Sequence, residues 1–313
     1  MTIHTLTTDL QGFEPTDFEW TMALYNAKKS KDGVQLDFGK CEMKDIGPFV
    51  VSIRNTLLEK TLQGKTVAEY SPFLASDTIG ALEMSNELVS EPVNDIFFEI
   101  EHADSRQAED YVSGIYPSPT GYAFYGCKRN EDGNIIDKVL FIRRTSPLIK
   151  GNKTWLCTTQ EGRIVTNEQP VLRFNQAVDL IIIGGFCYFV TANAEKDLGL
   201  ENRHFAICAK RMALIADKGL INNYDQLDTV AMKSKHARKF LDFDLKIIEH
   251  IERLPIIERE EFLSKYGITI DNEGLIDTDD PEQCELVIDL LCCRSCLDAL
   301  GRLAVGNSIM PRE

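Results

Sequence analysis

Two acid–lysine groupings, Asp244-x-Lys246 and Asp179 followed by Glu195-Lys196, come nearest in this chain to a recognisable catalytic arrangement. In metal-dependent nucleases carboxylates hold Mg²⁺, and a lysine helps activate water or stabilises developing charge. Such a pair belongs on a strand with a further acid upstream, whereas Asp244-x-Lys246 falls in a stretch of helical spacing. Glu99, Glu101 and His102 offer ligands for a divalent ion, but alternating acids on a strand ordinarily face water. Cys293-x-x-Cys296, with Cys284 and Cys292 nearby, lacks the second paired group of a zinc site. It also lies in a predicted helix, where cysteines at i, i+3 read as core. The five histidines are scattered. Phosphate loops, dinucleotide fingerprints, Gly-x-Ser-x-Gly turns and His-Glu-x-x-His motifs do not occur. No catalytic residue is assigned, no metal or cofactor is expected, and a metal-dependent nuclease stays open as an alternative.

The charge pattern carries more. The chain has 313 residues, 49 acidic against 34 basic, for a formal net charge of −15. Bulk charge therefore opposes binding to nucleic acid, and only a local basic patch would allow it. The charges are segregated. Residues 83–110 hold nine acids against Arg106, and residues 271–289 hold eight acids and no base. Residues 142–163 instead hold Arg143, Arg144, Lys150, Lys153 and Arg163 with Glu161 alone. Residues 203–239 hold eight bases with three aspartates, and Arg203, Lys210, Arg211 and Lys218 fall opposite an apolar stripe. Two such stretches, folded together, would form a cationic surface for phosphates with little sequence discrimination. The expected contacts are Arg143, Arg144, Lys150, Lys153, Lys210, Arg211, Lys233, Lys235 and Lys239. A solvated face or a protein-docking face would show the same charges, so a non-catalytic interaction module is the other alternative.

The elements that must position these residues follow from periodicity. A helix is expected over residues 14–28, a strand over 34–38 and a helix over 50–63. Residues 96–100 read as a strand. Hairpins are expected from 122–127 with 135–142 and from 155–159 with 163–166. The clearest hairpin joins 178–183 to 186–190 across Gly184-Gly185, which supply the positive φ angles of a tight turn. From about Asn202 the chain reads as helical, with Pro255 opening one helix and Pro281 a last one reaching about Leu300. The fold class is α+β, with a central mostly antiparallel sheet built from hairpins, a helical N-terminal part and C-terminal helices. The regions are 1–90 (mixed), 91–195 (sheet) and 196–313 (helical), with 91–313 forming one compact unit.

Hydrophobic residues make up 43% of the chain, enough for a substantial core. An odd count of nine cysteines, several in apolar runs, fits a reduced cytosolic protein. The most apolar stretch, residues 177–192, contains Asp179 and falls short of the roughly 20 residues a membrane span needs.

The run Arg173-Phe174-Asn175-Gln176-Ala177-Val178-Asp179-Leu180-Ile181-Ile182-Ile183, then Cys187-Tyr188-Phe189-Val190, then Phe205, resembles the core of the KwaB-type proteins, soluble components of the Kiwa bacterial anti-phage system. The resemblance lies in an aromatic residue, an aspartate followed by aliphatics, a tight turn, an aromatic-aliphatic strand and a helix opened by an aromatic. It implies a cytoplasmic defence effector that binds double-stranded DNA without sequence preference and obstructs phage DNA replication and late transcription. It further implies a membrane partner, KwaA, which would recruit the protein to the inner membrane, and self-association as a homodimer. The acidic stretch 83–110 would suit the basic cytosolic face of such a partner.

Overall fold

Between residues 22 and 25 successive side chains leave the backbone on opposite sides, and both sides are apolar: Met22 and Leu24 one way, Ala23 and Tyr25 the other, all buried. That is the signature of a strand covered on both faces. In the computed structural model, which describes residues 6–30, 33–72, 77–149, 156–160, 163–167, 171–297 and 303–305, the stretch is strand β1 (Glu19–Ser30). The helix expected over 14–28 shrinks to one 3-10 turn, Pro15–Asp17. Apolar residues on both faces of a strand also satisfy helical spacing, so the pattern was ambiguous there.

In chain order the first compact unit, Met1–Tyr70 with Ser76–Leu200, carries α1 (Leu6–Gly12), β1, β2 (Gly33–Cys41) and α2 (Ile46–Thr56), which runs into a π-helical turn, Leu57–Thr61. There follow β3 (Thr66–Glu69), β4 (Thr78–Glu83), α3 (Ser90–His102) and α4 (Ala108–Ser113). Then come β5 (Gly121–Arg129), β6 (Ile135–Arg143), β7 (Leu148–Ile149), β8 (Leu156–Gln160), β9 (Arg163–Asn167) and β10 (Val171–Leu172). The unit ends with β11 (Leu180–Ile183), β12 (Phe186–Phe189) and α5 (Asn193–Asp197).

Eight strands form one sheet in the order β2-β1-β5-β6-β11-β12-β4-β3, with only β3–β4 parallel. The three expected hairpins are β5–β6, β8–β9 and β11–β12. In the last, Gly184 and Gly185 have φ of 59° and 79°, so Ile183 and Phe186 pair directly across a two-residue turn. Sheet and helices together make the fold α+β, as expected. One sheet face packs Met22, Leu24, Phe124, Phe141, Ile181 and Tyr188 against Leu6 and Leu10 of α1 and Val50 and Ile53 of α2. Burying each such large side chain contributes about 1.5–3 kcal/mol. The opposite face receives α3, where the Phe97 ring lies 5.8 Å from that of Tyr125, and α5, where Asp197 accepts from Tyr25 at 3.0 Å.

The strand expected at 96–100 is the middle of α3. Its buried residues are Pro92, Val93, Ile96, Phe97 and Ile100, which is helical spacing. The aromatic and β-branched run Ile96-Phe97-Phe98 favours strand by propensity, but packing of that stripe on the sheet decides otherwise.

The second unit, Ser71–Ala75 with Glu201–Glu313, is helical. It holds α6 (Leu200–Ala216), α7 (Tyr224–Ala231), α8 (Ser234–Ala237), a 3-10 turn (Arg238–Asp242), α9 (Leu245–Arg253), α10 (Ile256–Ser264) and α11 (Pro281–Leu291). A short hairpin follows, β13 (Ser295–Leu297) with β14 (Leu303–Val305). Its core gathers Cys208, Met212 and Ile215 of α6 with Val230, Phe240, Ile248 and Ile288. Helix α6 begins at Leu200, two residues before the start expected near Asn202. Asp244 caps α9, accepting from the Lys246 N–H at 3.0 Å, which is the role of the Asp244-x-Lys246 pair. The last helix stops at Leu291, well before residue 300. Cys293 takes a left-handed φ of 56°, and the Arg294 N–H donates to Asp289 O at 2.7 Å, closing the helix end. No glycine or proline announces that stop. Cys293 and Cys296 therefore do not share a helix, Cys296 lying on β13. No helix among the described residues is long and apolar enough to cross a membrane.

Candidate functional site

Arg143 ends β6, and Asp179 immediately precedes β11, the strand paired with β6. The ladder brings them together: the Asp179 N–H donates to Ile142 O at 2.7 Å, and the N–H groups of Val190 and Thr191 donate to Asp179 O at 2.9 and 3.2 Å. The Asp179 side chain is wholly buried and needs partners. It accepts from Arg143 Nη1 at 2.9 Å, from the Arg144 backbone N–H at 2.7 Å and from the Thr191 hydroxyl. Arg144 turns to the other buried acid, Asp197, which also accepts from Tyr25 Oη at 3.0 Å.

Close packing fixes this network. A side chain on Gly121 would meet Arg143 O at 2.3 Å and Tyr25 Oη at 2.5 Å, so only glycine fits beneath the tyrosine. Burial raises the Asp197 carboxyl to about 6, outweighing the nearby Arg144 charge and the tyrosine hydrogen bond. Burial likewise raises Tyr25 far above its ordinary value. The carboxylate oxygens of both aspartates are taken by arginine, tyrosine and threonine donors, so the network ties β1, β6, β11 and α5 together. Glu195 and Lys196 sit on α5, and Lys196 Nζ meets Asn193 Oδ1 at 3.3 Å. Among the described residues no group of three or more His, Cys, Asp or Glu could hold a metal ion.

The helical unit presents its cations differently. Lys210 on α6 and Lys233 before α8 are exposed and have no carboxylate partner among the described residues. Arg211 is half-buried, with its guanidinium carbon 6.0 Å from the centre of the Phe243 ring. Lys235 lies 3.1 Å from Glu285, and Lys239 pairs with Asp289, both acids on α11. His236 is buried with Nε2 3.3 Å from Glu285. Arg294 is buried against Asp242. His204 is buried, and neither ring nitrogen meets a hydrogen-bonding partner among the described residues. Burial, aided by the Arg238 charge, pushes it down to about 4, so it is neutral at pH 7. Lys150 and Lys153 lie outside the described residues.

Residues 136–294, which span β6, β11, β12 and the helices through α11, match the family model described as Kiwa protein KwaB-like. The chain belongs to the KwaB-like family. That makes it a component of Kiwa antiviral defence, a system with further protein partners. No curated protein and no solved structure matches it. The KwaB-like stretch includes Arg143, Arg144, Asp179 and Asp197, and all the helical-unit cations named above.

Sequence reasoning singled out Asp179 but missed Asp197, Tyr25 and Asp289. A signal existed for Asp197: it lies three residues after buried Ala194 and next to buried Leu198, on the apolar side of a short helix. Asp289 likewise interrupts the apolar run Val287-Ile288-Leu290-Leu291 on α11.

Proposed function

We propose that this KwaB-like protein is an anti-phage effector that binds duplex DNA through phosphate contacts and obstructs phage DNA replication and late transcription without chemistry. The observation that carries the reading is the set Lys210, Arg211 and Lys233, cations of the helical unit with no acid among the described residues to neutralise them. Their short-range field survives on a negative molecule because the Debye length is only ~8 Å at physiological salt. Lys235 adds to the set in competition with Glu285. Arg143, Arg144 and Lys239 hold buried or nearly buried carboxylates, which leaves them less charge to offer a phosphate. Lys150 and Lys153 complete the proposed contacts.

The test is fluorescence anisotropy with a labelled duplex across a salt series. Lys210, Arg211 and Lys233 alone account for about −3 of the log–log salt slope. Lys210→Gln, Arg211→Gln and Lys233→Gln together should reduce the slope by about three for every sequence alike. Wild-type binding that ignores salt, or a triple variant that binds unchanged, would overturn the reading.

The defence role further implies association with the membrane protein KwaA and a homodimer. The solvent side of α3 supports the first, presenting Asp95 and Glu99 beside exposed Phe98. Asp95→Lys with Glu99→Lys should abolish co-purification with KwaA; full recovery would remove α3 as the docking face.

A further inference from the structure

Helix α11 places two acids opposite two lysines at matching intervals. Lys235 and Lys239 are four residues apart, as are Glu285 and Asp289, and the pairs form in register. Solvent separates their roles. The side chains of Lys235 and Glu285 are 67% and 43% exposed, whereas those of Lys239 and Asp289 are 16% and 10% exposed. An exposed ion pair is held weakly and exchanges readily. Breaking the covered pair would strand a desolvated charge. Glu285 also has a second neighbour, since Nε2 of buried His236 lies 3.3 Å from the same carboxylate oxygen. In the tautomer that carries hydrogen on Nε2, the imidazole donates to Glu285 whether or not Lys235 stays.

We propose that Glu285 is a built-in competitor for DNA phosphate at Lys235. The carboxylate occupies the lysine in the free protein and yields it, keeping its histidine contact, when a phosphate arrives. Lys239 remains with Asp289 and holds the 3-10 turn to α11. Helix α11 thereby sets how much phosphate affinity the neighbouring cations express. The inference rests on the DNA-binding reading above.

Glu285→Gln removes the competing charge at a half-exposed position and leaves the fold intact. With a labelled duplex at low salt it should tighten binding about threefold to tenfold and steepen the log–log salt slope by up to about one. Lys235→Gln should weaken binding, and in that background Glu285→Gln should add nothing. Equal tightening with and without Lys235 would mean a general field effect and would overturn the competitor role. So would unchanged affinity in Glu285→Gln while wild type binds. Absence of binding by wild type and Glu285→Gln alike would overturn both this inference and the DNA-binding reading.

Discussion

The arginines at the end of β6 and Lys210 and Lys233 of the helical unit were indistinguishable as charges, yet the fold treats them in opposite ways. Arg143 and Arg144 each close on a fully buried aspartate side chain. Lys210 and Lys233 stand in solvent with no acid among the described residues to pair with them. The difference lies in what the chain buries nearby. A strand end that brings Asp179 into the sheet must bring a cation with it, because an unpaired buried carboxylate costs several kcal/mol. A helix with a continuous apolar stripe makes no such demand and leaves its bases outside. A run of lysine and arginine in sequence thus reports available positive charge only where no buried acid claims it.

The contrast can be broken from its strongest side. Asp179→Ala should destabilise the sheet unit by about 3–5 kcal/mol, leaving Arg143 and the Arg144 N–H unsatisfied; urea unfolding followed by tryptophan fluorescence reads this, and a loss under about 1 kcal/mol would make the network incidental. Next come two buried groups that titrate in one pH window with opposite sign. His204 is held near 4 in the fold, below its ordinary 6.5, so its contribution favours the folded state above about pH 6.5 and is lost as pH falls towards 4. Asp197 is held near 6, above its ordinary 3.8, so its charged form is penalised above about pH 6 and the penalty is relieved as pH falls. Each amounts to roughly 3 kcal/mol. His204→Leu should make the helical unit more resistant to acid, whereas Asp197→Asn should abolish the acid-side gain of the sheet unit. Hydrogen exchange resolved by unit at about pH 4.5 and about pH 7 checks both signs.

Smaller effects sharpen the same comparison. Cys293→Gly, at a left-handed position, should stabilise the helical unit by about 1 kcal/mol by thermal unfolding. Least of all, Lys210→Gln with Lys233→Gln should change stability by under about 0.5 kcal/mol. The same pair should nonetheless reduce the DNA salt slope by about two.

Hairpins were legible because their turns are local: Gly184-Gly185 and the loop around Gly133 carry the required backbone angles in their own residues. Elements defined by burial on two sides were not. The helix expected over 14–28 became strand β1 because apolar residues on both of its faces satisfy both periods, and the strand expected over 96–100 became part of α3 because packing outweighed strand propensity. The end of α11 was hidden because a cysteine, and not a glycine, takes the left-handed position. For the site, Asp179 stood out as a polar residue in an apolar run and its partner Thr191 stands across the same hairpin, while the second acid, Asp197, joins the network only through the tertiary fold.

The strand order bears on how this protein can be dissected. The family-matched stretch, residues 136–294, supplies β6, β11 and β12, but the strands on either flank, β5 and β4, come from outside it. Excised alone, that stretch would bare two raw ladders lined by Leu140, Phe141, Cys187 and Tyr188, all buried in the intact sheet. It should therefore collect in inclusion bodies, and any trimmed version meant for solution work must retain the strands that begin at Glu19.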